Sequence, residues 1–142
     1  MALESIGRTH WEGDLISGSG TTTFDSGAIG PVGVTWKART EEHGGLTSPE
    51  ELIAAAHASC FSMAFSSRLA KAGHDSISLD TEATATFVPG QGITTMVLKV
   101  RGEVDGMSEA DFRELAEDAK LNCPVSQALK GNVEITLDAA LA

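Results

Sequence analysis

The chain is poor in positive charge: ten Lys and Arg stand against twenty Asp and Glu, a formal net charge of -10. That balance repels phosphates and anionic headgroups, which argues against nucleic acid or a membrane surface as partners. It also lacks a long apolar run. Crossing a bilayer as a helix takes ~20 mostly apolar residues, and the nearest approach, residues 52 to 65, is broken by His57, Ser59 and Ser62. The opening MALESIGRTHWEGD turns polar after its third residue and has none of the zones of a secretory signal. A cytoplasmic protein is the expectation. Cysteine is scarce as well, two in 142 residues. That is too few for a disulfide scaffold, and in a reducing compartment a cysteine pair is more often redox-active or catalytic than structural. No C-x-x-C, H-x-x-x-H or H-E-x-x-H spacing occurs, so neither a metal nor a bound cofactor is expected. The glycine-rich stretch from 18 to 33 has no GxxxxGK[ST] pattern and reads as turn chemistry.

What is there is ordinary globular material, 42% hydrophobic and 21% charged, in a length suited to a single domain over residues 1–142. The first third reads as a β-meander, with strands over 9–16, 21–25 and 34–38 separated by glycine turns. Ser48, Pro49 and Glu51 then form a capping box, while Lys71 and Gly73 mark an end, which predicts one long helix over 49–72. Its stretch from Leu52 to Phe65 is uncharged and apolar around most of its circumference, so it is expected to be a central helix buried on nearly all sides. Alternation over 76–88 and 92–104 around Pro89-Gly90-Gln91 predicts a hairpin. Ser108 and Asp111 open an amphipathic helix with Phe112, Leu115 and Ala119 on one face, ending near Leu121. Cys123-Pro124 starts a short helix that Gly131 ends, and Val133, Ile135 and Leu137 alternate as a last strand. Segregated strands and helices of this kind argue for an α+β domain.

The chemistry-bearing residues leave several readings open. Cys60 lies mid-helix in an apolar segment, where free cysteine is often a small core residue. Cys123 precedes a proline at an N-cap, where the helix dipole favours a thiolate. Sixty-three residues separate the two, and nothing in that spacing shows that they meet. His57, three residues before Cys60, shares its helical face. It is either a satisfied core histidine or the base of a cysteine hydrolase or acyl transferase. A non-enzymatic redox sensor is a further alternative.

Two segments carry a resemblance. SPEELIAAAHASCFSMAF and NCPVSQAL closely resemble the signature motifs of the OsmC/Ohr family, the osmotically inducible and organic hydroperoxide resistance proteins. THWEGD, Gly20-Thr21 and the final EITLD look like its OsmC branch, so the likeness runs over nearly the whole chain. The resemblance implies a peroxidase in which Cys60 is the peroxidatic nucleophile and Cys123 resolves it as a disulfide. It implies roles for Glu50, with Glu51 beside it, and for Arg39, with Lys37 as the alternative. Organic hydroperoxides are the implied substrates and a lipoyl-type dithiol the implied reductant. Helix geometry adds an inference. Glu50 and Cys60 lie ten residues apart on one helix, and at 1.5 Å per residue that is ~15 Å, too far for one site to use both from one chain. An intertwined homodimer, its helices antiparallel near Ala55, brings residue 50 of one chain opposite residue 60 of the other.

Overall fold

Threonine-rich segments at the start of the chain pair as a small sheet. In the computed structural model, which describes residues 2–75 and 77–142, β1 (Gly7–Glu12), β2 (Ser19–Phe24) and β3 (Val32–Val34) form an antiparallel sheet in that order. The pleat suits β-branched residues, and Thr9 and Thr22, opposite each other, join their hydroxyls at 2.8 Å. Trp11 lies opposite Gly20, where a Cβ would come within 2.8 Å of the indole. The close approach explains the glycine. The chain divides between Leu52 and Ile53 into two compact units, of which this sheet belongs to the first.

The meander agrees with expectation, but its edges need correcting. The first strand stops at Glu12 instead of running to residue 16, because Asp14 Oδ1 accepts from the Ser17 N–H (2.7 Å) and hydroxyl (2.8 Å) and closes a turn. The second runs from Ser19 to Phe24. The expected strand over 34–38 is mostly helix: β3 ends at Val34, and α1 (Trp36–Thr40) begins at once, its N-cap Thr35 accepting from the Ala38 N–H at 3.1 Å. Val34, Trp36 and Ala38 alternate, yet a threonine cap outweighs so short a period.

Both signalled ends of the long helix hold, and α2 is Pro49–Lys71. Ser48 Oγ accepts from the Glu51 N–H at 3.1 Å, while the Glu51 carboxylate takes the Thr47 hydroxyl at 2.5 Å. At the other end Gly73, at φ 94°, closes a Schellman motif: its N–H donates to Ala70 O and the His74 N–H to Leu69 O, both at 3.0 Å.

Within the second unit, β4 (Ile77–Val88) and β5 (Gly92–Val104) form the expected hairpin, with a bulge at Thr86/Phe87. Ser76, the expected first residue of this strand, lies outside the described residues. α3 (Glu109–Asn122), capped by Ser108 on the Asp111 N–H, and α4 (Pro124–Leu129) follow. They make the crossover that lets β6 (Glu134–Leu141) pair parallel with β5, giving the order β4-β5-β6. Phe61, Phe65 and Leu69 of α2 meet Leu98 and Val100 of β5 and Phe112, Ala116 and Ala119 of α3 in one core. Phe65 and Phe112 stand 4.9 Å apart between ring centroids. Phe112 sits so close to β5 that a Cβ on Gly102 would come within 2.6 Å of its ring.

The expectation that α2 is buried on nearly all sides is corrected. The chain buries a stripe through Ala54, His57, Phe61, Phe65 and Leu69, and the opposite arc, with Met63 73% exposed, is open. Its other members, Ala55, Ala56, Ser59 and Ser67, are small, so exposing them forfeits little apolar burial. No helix among the described residues is long and apolar enough to cross a membrane.

Candidate active site

Two clusters hold the residues singled out from the sequence. In the second unit, the fourth turn of α2 carries Cys60 to the start of α4. Cys123 is at once the C-cap of α3, its N–H donating to Ala119 O at 2.9 Å, and the N-cap of α4, with backbone angles φ -63° and ψ 124°. Its side chain is fully buried in the core and makes no capping hydrogen bond. Both thiols are free, and they are neighbours: the proximity of Cys123 raises the Cys60 thiol. The fold thus brings together two residues whose separation in sequence is silent about contact.

The electrostatics differ from expectation. The sequence assigns the favourable helix start to Cys123, but it is Cys60 that receives a backbone N–H from the first turn of α4, that of Val125. Burial pushes the Cys60 thiol above the ordinary cysteine range; the Val125 N–H pulls the other way, and the neighbouring Cys123 adds to the rise. A partly buried thiol beside a second thiol and an amide N–H is suited to thiol redox chemistry, and burial works against its thiolate.

His57 turns away from this chemistry. It is fully buried, its Nε2 lies 2.7 Å from Ser126 Oγ, its Nδ1 has no hydrogen-bond partner among the described residues, and burial lowers its pKa. Its Nε2 is therefore committed to a hydroxyl on α4 and not to Cys60. Neither Ser126 nor the Val125 N–H was marked by sequence reasoning, since a backbone amide and a serine in a short helix carry no pattern of their own.

In the first unit, α1 holds Arg39 against the first turn of α2. Arg39 Nε and NH2 both reach Glu50 Oε1, at 2.9 and 2.8 Å. The guanidinium carbon also lies 5.9 Å from the Trp36 ring centroid. Glu50 is buried, and its Oε2 has no hydrogen-bond partner among the described residues. Lys37 pairs instead with Glu42 at 3.4 Å on the surface, and Glu51 is exposed beside Thr47. Arg39 also borders a pocket of about 360 Å³ walled by Trp11, Leu15, Trp36, Pro49 and Leu52. A cation held by a buried acid beside an apolar pocket suits a ligand that is anionic or becomes so at one end. Among the described residues no group of three or more His, Cys, Asp or Glu side chains is arranged to hold a metal ion.

Known proteins are similar to this chain in sequence and in fold. Peroxiredoxin OsmC of Escherichia coli (strain K12) is 43% identical over 141 residues, 97% of this chain and 96% of that protein. The organic hydroperoxide resistance protein of Xanthomonas axonopodis pv. citri (strain 306) is 35% identical over 100 residues, 66% of this chain and 67% of that one. The solved structure of an organic hydroperoxide resistance protein OsmC from Legionella pneumophila matches the fold with a TM-score of 0.72 at 22% identity, covering 99% of this chain and 98% of its own. The structure of OhrB of Bacillus subtilis gives 0.68 at 22% identity, over 94% and 97% of the two chains. Residues 42–138, which include Glu50 and both cysteines, match the family described as OsmC-like protein. With that match, and a relative similar over nearly its full length, the chain belongs to the OsmC-like protein family.

Proposed function

We propose that the chain is a thiol peroxidase for organic hydroperoxides, working as one functional domain over residues 1–142 in the cytoplasm. The observation that carries the reading is the pairing of two free thiols, Cys60 and Cys123, across α2 and α4. The Cys60 thiolate attacks the distal peroxide oxygen, the O–O bond breaks, and the alkoxide leaves as an alcohol once protonated. The sulfenic acid on Cys60 then condenses with the Cys123 thiol, releasing water and leaving a disulfide. A dithiol of the lipoyl type returns both sulfurs to thiols.

Ionising the thiol is not enough. An unperturbed thiol is already a few per cent thiolate at neutral pH, so complete ionisation gains only ~30-fold, about 2 kcal/mol. The rest is asked of a guanidinium that holds the thiolate and takes up charge on the peroxide oxygens as their bond breaks. Arg39 is assigned this role, oriented by Glu50; the support is their hydrogen-bonded ion pair, against the surface partner of Lys37 and the exposure of Glu51. The apolar walls beside Arg39 favour alkyl hydroperoxides over hydrogen peroxide. Since Glu50 and Cys60 lie ten residues apart on α2, the reading requires a twofold homodimer in which each site joins the cysteines of one chain to the Arg39–Glu50 pair of its partner. The open arc of α2 with Ala55 and Ala56 offers a face for it. A hydrolase using His57 as its base loses support, because the Nε2 of His57 is taken by Ser126.

Purified protein with dihydrolipoamide is expected to consume tert-butyl hydroperoxide faster than hydrogen peroxide. Cys60→Ser abolishes turnover, and Cys123→Ser stalls after one oxidation. Unimpaired turnover in either variant would refute the assigned order of the cysteines, and no turnover with any dithiol would remove the peroxidase reading.

A further inference from the structure

His57 is buried and titratable, and the chemistry above does not use it. Its Nε2 meets Ser126 Oγ at 2.7 Å, linking the middle of α2 to the first turn of α4. The two cysteines join the same two helices. His57 precedes Cys60 by three residues on α2, and Ser126 follows Cys123 by three on α4. Three residues is close to one helical turn, so the hydrogen bond is a rung one turn away from the sulfurs on both helices, which run in opposite senses across it. Around this rung α4 has few anchors, since Pro124, Gln127 and Ala128 are exposed and only Cys123 and Ser126 are buried.

The rung is not an efficient way to gain stability. A buried nitrogen without a partner, as His57 Nδ1 is among the described residues, costs more than one neutral hydrogen bond returns. An apolar pair would glue the helices at least as well. What a directional 2.7 Å contact supplies, and an apolar contact does not, is a fixed separation and orientation. Disulfide closure needs that, because the bond tolerates a narrow range of Cα separation and of torsion about the sulfurs.

We propose that His57 and Ser126 are positioning residues for disulfide closure: their hydrogen bond sets the approach of the Cys123 thiol to oxidised Cys60. The step is the loss of water from the Cys60 sulfenic acid and the Cys123 thiol: the S–O bond breaks, the S–S bond forms, and the thiol proton leaves with the water. The inference rests on the peroxidase reading and concerns its second step. It does not concern peroxide attack.

Rapid mixing of reduced protein with tert-butyl hydroperoxide separates a first phase, whose rate grows with peroxide, from a second that does not depend on it. Ser126→Ala is expected to leave the first within about twofold and to slow the second by about tenfold or more, the scale of a small misplacement of reacting groups. Sulfenic acid then accumulates and is trapped by dimedone, read as a mass increase on Cys60. His57→Leu, similar in bulk and unable to hydrogen-bond, is expected to do the same, and Ser126→Thr, which keeps the hydroxyl, to restore the second phase. Wild-type closure in either folded variant lacking the bond, Ser126→Ala or His57→Leu, overturns the proposal while the peroxidase reading stands. If wild-type Cys60 is not oxidised by the peroxide at all, the peroxidase reading falls first and this one with it.

Discussion

The cysteine cluster and the Arg39–Glu50 cluster each join a partly buried group to a buried one, but different forces hold them. The thiols stand on a large apolar core, with Phe61, Phe65 and Phe112 beneath them, and their surroundings are chiefly packing. Arg39 on α1 and Glu50 in the first turn of α2 belong to the unit with the small three-stranded sheet, whose first strand is exposed throughout, and they are held by a charged hydrogen-bonded pair and one short capped helix. Packing positions the Cys60 thiol without lowering its pKa; the ion pair supplies charge without a large core around it. The two clusters are complementary in what each lacks, which supports the proposed dimer.

That contrast can be broken at the core first. Phe65→Ala is expected to destabilise the protein by about 3–5 kcal/mol, from lost burial and the cavity left behind, measured by urea unfolding monitored by circular dichroism. Glu50→Gln tests the other cluster. It removes the charge that holds Arg39, and a cost of about 1–3 kcal/mol is expected together with a turnover loss larger than that of any surface glutamate such as Glu103. A turnover unchanged by Glu50→Gln would separate the ion pair from catalysis.

The pH dependence of Cys60 sharpens the comparison. Burial penalises the thiolate, so the thiol keeps its proton to higher pH than an ordinary cysteine, and its alkylation rate should still be climbing in the alkaline range. If Arg39 of a partner acts on it, wild-type alkylation by monobromobimane levels off at lower pH than that of Arg39→Met. Identical profiles would mean that burial alone governs the thiol. The smallest effect expected is that of Thr35→Ala, which removes the N-cap of the short helix carrying Arg39; about 1 kcal/mol of stability is the scale, read as a shift in the urea midpoint.

Legibility in the sequence followed the range of the interaction. The ends of α2 were readable because Ser48, Pro49 and Gly73 act on backbone groups within one turn of themselves. The β4–β5 hairpin was readable from its turn, and Cys123 was readable as an N-cap from the proline after it. α1 was missed because Val34, Trp36 and Ala38 alternate like a strand, although Thr35 carried the competing signal. The burial of α2 within one chain was overestimated because absence of charge was taken for burial, whereas its alanines and serines have little apolar surface to hide.

The sequence by itself determined where α2 starts and stops, the β4–β5 hairpin, the acidic balance, and, through its motifs, which residues to watch: Cys60, Cys123, Arg39 and Glu50. Those features rest on neighbours in the chain or on patterns written in residue types. Only the tertiary structure decided that Cys60 meets Cys123, that it and not Cys123 receives the Val125 N–H, that His57 bonds Ser126, and that β6 lies parallel to β5. Each of these joins residues far apart in sequence. Their meeting depends on how elements pack on a shared core, and no local spacing encodes that.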